Sequence, residues 1–231
     1  MNSEPAATGS AGILTRSQEG VVHGHLVAGA DAAARYTVGE AVELESRAPI
    51  DPPLLARSIE QAVAEAPGWL LRVDTDGGAR VLDTVLRPHE VDGAGCEIRD
   101  LRGLPRPWAE AVGAMRDDLA SGIGFGAGAL HRQRLWVLSE HRVVWSLLAH
   151  HVLVDGYGAV LLARRALEIF AARRDGRPVP AARFTDPARI AAAERDYESS
   201  AAYARDREFW LRADRSAQEA GAVRALLPAS A

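Results

Sequence analysis

The sequence predicts an α+β fold, a mixed β-sheet packed by helices, and three stretches carry that reading. Two apolar runs, Leu130 to Leu138 and Arg142 to Leu148, flank Ser139-Glu140-His141 and form the strongest hairpin signal in the chain. Asp51-Pro52 opens a run with Leu55, Ile59, Ala62 and Val63 at helical spacing. After Gly156, Val160, Ala163, Leu167 and Phe170 outline an amphipathic helix with Arg164, Arg165 and Glu168 on its other faces.

The remaining elements follow in order. Residues 1–12 read as a disordered leader, because Ser, Ala and Gly without bulky apolar partners do not offset the entropy of ordering. Structure begins near Ile13. Val38 to Leu44 suits a half-buried strand, with Glu40, Glu43 and Glu45 interspersed. Asp51 caps the first predicted helix, Pro52 fits its first position, and Pro67-Gly68 stops it. Trp69 to Val73 and Ala79 to Val85 flank a glycine turn and read as a second hairpin. Cys96 to Arg99 reads as a short strand. Pro107 to Ala120 reads as a helix with Trp108, Val112, Met115 and Leu119 on one face, ended by the glycine-rich stretch Ser121 to Gly128. Asp186-Pro187 starts a last helix that continues to about Arg212, and Ala213 to Ala231 holds no complete element.

Composition narrows the function. A chain of 231 residues that is 48% hydrophobic can bury a substantial core. Its net charge of -4 gives no electrostatic reason to expect nucleic acid or an anionic membrane as partner. All 27 basic residues are arginine, so this chain has no lysine for Schiff-base chemistry or a P-loop. The lone Cys96 reads as a strand residue. Residues 1–12 lack the basic and apolar segments of a signal peptide, and no run reaches the ~20 apolar residues of a membrane span. A cytoplasmic protein is expected.

The chemistry concentrates at His150-His151-Val152-Leu153-Val154-Asp155-Gly156, where an apolar strand ends in two adjacent histidines. Polar groups at the end of a buried strand cost free energy unless they are paired or used. Strand neighbours point to opposite faces, so His150 and His151 should do different work. The same opposition makes it hard for His150, His151 and Asp155 to converge on one metal ion, and no metal is expected. Gly156 would let a substrate or another backbone approach closely.

These residues resemble the HHxxxDG motif of nonribosomal peptide synthetase condensation domains, in the superfamily that includes chloramphenicol acetyltransferase. Leu14-Thr15-Arg16-Ser17-Gln18 is similar to the family's opening "LTxxQ" block, and Leu71-Arg72-Val73 matches its "LRxxF" block in part. Phe125 to Arg132 keeps only the glycine, leucine and arginine of the "PFDLxxGPLxR" block. Tyr197 to Trp210, with its Ala204-Arg205-Asp206-Arg207-Glu208-Phe209-Trp210, resembles the crossover between lobes in siderophore-type synthetases.

The resemblance implies a chloramphenicol acetyltransferase-like lobe, the N-terminal one of a two-lobed condensation domain, over residues 13–212, with 213–231 a tail or the start of a crossover. It implies amide formation between a carrier-bound acyl thioester and a carrier-bound amino acid. No cofactor is held permanently, and phosphopantetheine arrives on peptidyl or aryl carrier proteins. His151 maps to the catalytic histidine, as proton acceptor or as the group that holds the amine. His150, Asp155, Gly156 and Arg72 support the site, Asp155 as a buried carboxylate paired with Arg72, and Tyr157 is a candidate tunnel wall. A second lobe, or a neighbouring polypeptide, would complete the tunnel. Two other readings stay open: a carrier-protein docking module without catalysis, and a trimeric chloramphenicol-type acetyltransferase. In the latter the double histidine lies close to the C-terminus, whereas here the chain continues to Ala231.

Overall fold

The computed structural model describes residues 14–71, 73, 95–126 and 128–219, the last six without their side chains. The chain divides into two units, Met1–Ala188 and Arg189–Ala231.

Among its described residues the first unit is built on four strands: β1 (Thr37–Glu45), β2 (Cys96–Asp100), β3 (His131–Ser139) and β4 (Arg142–His150). Their order across the sheet is β1-β4-β3-β2. The β3–β4 hairpin is antiparallel, β1 runs antiparallel to β4, and β2 adds parallel to β3, so the sheet is mixed. Sheet alternation sends β4 residues to two sides. Val143, Trp145, Leu147 and Ala149 join Leu135 and Val137 on one face. That face packs against α3 (Pro52–Ala64) through Leu55, Ile59 and Val63, and against α5 (Gly156–Arg174) through Leu162, Ala166 and Ile169. Val144 and Trp136 face the other way, onto Ala111 of α4 (Pro107–Ser121). Near the end of β4 that same side meets α1 (Arg16–Ala28), whose Val22 packs with Leu148, Leu130 and Val152. A one-turn helix, α2 (Ala32–Arg35), leads into β1.

The α3 start is as expected, with the Asp51 carboxylate accepting the Leu54 N–H at 2.9 Å and Pro52 in the first turn. Several expectations are corrected. Residues 16–28, given no element from sequence, form α1, whose two interior glycines weaken the helical pattern. Trp69 and Leu70 lie in a 3-10 turn, Pro67–Leu70, rather than a strand, because the Trp69 N–H folds back onto the Ala66 carbonyl at 2.9 Å. The rest of that hairpin, residues 74–85, lies outside the described residues.

On α4 it is Ala111 that is fully buried, while Trp108 and Leu119 stay exposed. Trp108 instead receives the Arg142 guanidinium 5.2 Å from its ring centroid. On α5, Val160 is exposed and Arg165 is buried. Arg165 is accommodated because its guanidinium reaches Glu65 at 2.7 Å, Glu168 at 2.7 Å and the Pro180 carbonyl at 2.8 Å, which ties α5 to α3.

The second unit is helical. The single helix expected from Pro187 to about Arg212 is two, α6 (Pro187–Glu198), which begins at the boundary, and α7 (Ala201–Glu219), which reaches into the segment expected to hold no element. The break comes at Ser199-Ser200, where the Ser200 hydroxyl accepts the Tyr203 N–H at 3.2 Å and caps α7. Tyr197 reaches across the break to Asp206 at 2.7 Å. Among the described residues no helix is long and apolar enough to cross a membrane.

Candidate functional site

The site begins where β4 runs out of partners. The His150 N–H still completes the ladder, donating to the Leu130 carbonyl at 2.8 Å, and the His151 N–H donates to the Tyr36 carbonyl at 2.7 Å. The chain then turns, with the Leu153 N–H returning to the His150 carbonyl at 2.9 Å. The two imidazoles separate as strand geometry requires. His150 is fully buried, and His151 is exposed.

Both ring nitrogens of His150 are occupied. Nδ1 accepts the Val152 N–H at 3.1 Å, and Nε2 lies 3.0 Å from Nδ1 of His25 on α1. Phe125 and Tyr36 wall the pair, with ring centroids 4.5 Å and 6.1 Å from His150. Burial, followed by the charges of His25 and His151, pushes the His150 pKa down to about 4, and burial also lowers that of His25. His150 is therefore a neutral structural group near pH 7.

The turn is held from a second side by the opening block of the chain. Thr15 caps α1 in a reciprocal box with Gln18, whose side chain also donates to the Val152 carbonyl at 3.1 Å. Both polar groups of the Val152 peptide are thus held by side chains, and its own side chain is buried.

Asp155 is corrected from a buried carboxylate to an exposed one. It is the N-cap of α5, and its Oδ1 accepts the Gly158 N–H at 2.8 Å, a role that suits a residue at the helix mouth. Arg72, its expected partner, lies outside the described residues. The glycine under steric demand is Gly158 rather than Gly156. A Cβ at 158 would come within 2.5 Å of Val154 Cγ2, whereas one at 156 would meet only Glu40 Oε1 at 3.9 Å. Tyr157, in the first turn of α5, projects outward and is 73% exposed. Among the described residues no group of three or more His, Cys, Asp or Glu side chains is arranged to hold a metal ion.

His25, Tyr36 and Phe125 were missed from sequence. A signal for His25 did exist, since Gln18, Val22 and His25 follow one another at i, i+4 and i+7 and share a face of α1.

A mixed sheet in which an inner strand ends in a buried histidine followed at once by an exposed one, with a capped helix just beyond, defines one lobe of a condensation-type fold. The chain belongs to the condensation domain family, whose model matches residues 12–230. It is 30% identical over 200 residues to the isonitrile lipopeptide synthase of Streptomyces coeruleorubidus, and 31% identical over 184 residues to enterobactin synthase component F of Shigella flexneri. These alignments cover 84% and 78% of this chain but 13% and 14% of the two synthases. Among solved structures, the first condensation domain of the calcium-dependent antibiotic synthetase, in complex with a substrate analogue, is similar with a TM-score of 0.74 and 31% identity. That match covers 88% of this chain and 48% of the solved one, the extent of a single lobe.

Proposed function

We propose that this chain is the histidine-bearing lobe of a condensation domain that forms amide bonds in nonribosomal peptide synthesis. The observation that carries the reading is the division of labour at the end of β4, where His150 is locked inside the lobe and His151 is presented outside it. The substrates are an acyl thioester on the phosphopantetheine arm of one carrier protein and the amine of an aminoacyl group on a second. The amine attacks the thioester carbon, a C–N bond forms, the C–S bond breaks, and the proton lost by the amine is balanced by the one gained by the departing thiol. A thioester is already activated, so orienting the two arms supplies much of the rate. His151 accepts the amine proton, or holds the amine by a hydrogen bond as the tetrahedral intermediate forms. Tyr157 forms part of the wall beside it, and Asp155, through its cap on α5, fixes the far end of the loop. A second lobe completes the tunnel.

The test is a condensation assay with both loaded carriers and a second lobe supplied. His151→Ala should lower turnover by about 10²-fold or more while leaving the melting temperature unchanged. Unchanged turnover in that variant would overturn the assignment of His151. If the parent chain supports no amide formation with any second lobe yet still binds carriers, the docking reading replaces this one.

A further inference from the structure

The hydrogen bonds around His150 dictate where its proton sits. A backbone N–H can only donate, so the contact from Val152 makes Nδ1 of His150 an acceptor, and the proton of the neutral ring lies on Nε2. Nε2 points at Nδ1 of His25, 3.0 Å away, and donates to it. That contact requires His25 to keep its Nδ1 bare. A proton on either acceptor nitrogen would set donor against donor inside the lobe. Burial favours the neutral form of both rings, which is the form this arrangement demands.

The surroundings are shaped to keep the pair in place. Gly24 leaves the space that the Tyr36 phenol fills, since a Cβ there would lie 2.0 Å from the hydroxyl oxygen. The Tyr36 ring stacks on His150 at an interplanar angle of 16°, and its carbonyl takes the His151 N–H. Phe125 closes the other side, its centroid 4.1 Å from that of His25.

We propose that His25 is a positioning residue for His151: it selects the Nε2–H tautomer of His150, whose free Nδ1 then holds the Val152 N–H and the turn that displays the His151 imidazole. The inference rests on the reading of His151 as the group that handles the amine. His25 acts on His151 through one imidazole and the Val152 N–H.

The test uses the full chain with ¹⁵N-labelled histidine. Long-range ¹H–¹⁵N spectra should show the His150 proton on Nε2, and a proton on Nδ1 would overturn the proposal. His25→Leu removes the acceptor and should speed exchange of the Val152 amide by about tenfold, the ~1.4 kcal/mol scale of one hydrogen bond. His25→Gln, whose carbonyl can accept from Nε2, should restore the parent rate. Unchanged Val152 exchange in His25→Leu, or equally fast exchange in His25→Gln, would refute the mechanism. In the condensation assay His25→Leu should lower kcat with KM held, and His25→Gln should recover it; an unchanged kcat in His25→Leu would remove the positioning role. The spectra and exchange rates do not use turnover, so a failure of the amide-forming reading leaves them intact and separately readable.

Discussion

His131 and His150 are the two buried histidines among the described residues, and they sit on neighbouring strands facing opposite sides of one sheet. Burial pushes both down to about 4, with the charges of His25 and His151 adding to the effect at His150. Their surroundings differ in kind. His150 has a partner on each ring nitrogen, whereas Nδ1 of His131 has none among the described residues. His131 instead meets the Trp69 ring edge-on at 5.9 Å, beside Gln133, whose Oε1 accepts from Trp145. A depressed pKa thus reports burial in both places and positioning in only one. What separates a structural filler from an organising residue here is the set of partners.

The comparison can be broken in four ways. The largest effect is acidification. An unfolded histidine takes up a proton near pH ~6.5 and these folded ones only near about 4, so the contribution to stability is complete above the first value and lost as pH falls towards the second. For His131 alone that loss is on the order of 3 kcal/mol, measurable as a shift in the urea midpoint across this range. A midpoint that does not move would mean that the two rings are protonated in the folded chain.

His150→Leu comes next. It strands the buried Val152 N–H and should cost about 2–3 kcal/mol at neutral pH by urea unfolding. Asp155→Ala tests the other end of the same turn. An exposed cap should cost about 1 kcal/mol, and a loss as large as that of His150→Leu would show that the carboxylate does more than cap α5. The smallest effect belongs to His131→Leu, which should change neutral-pH stability by less than about 1 kcal/mol while flattening the acid dependence, because a hydrocarbon replaces a nitrogen that lacks a partner among the described residues. Equal losses for His131→Leu and His150→Leu would erase the distinction between the two sites.

Much of this arrangement was legible in the sequence for identifiable reasons. The hairpin of β3 and β4, the cap at Asp51 and the start of α5 are local signals, and each element forms where its signal lies. The opposition of His150 and His151 follows from strand geometry alone. What was hidden depends on tertiary partners. Arg165 reads as a surface residue until Glu65 and Pro180 close around it. The family resemblance implies a buried Asp155 paired with Arg72, yet the carboxylate lies at a helix mouth and stays exposed. Ala111, too small to dominate a helical pattern, faces the sheet ahead of Trp108. His25 becomes meaningful only beside a residue 125 positions later.

That separation also shapes how the lobe must assemble. Thr37 pairs with His150, and Gln18 reaches a carbonyl 134 residues further on. Emerging from a ribosome, α1 and β1 have no sheet to join until β4 has been made, because β4 is the strand that sits between β1 and the rest. Loops of this size close slowly, and β1 waits with its backbone unpaired. Among the described strands β1 still lies at an edge of the finished sheet, where Glu40, Glu43 and Glu45 put charge along it, a pattern that disfavours pairing with a neighbouring copy.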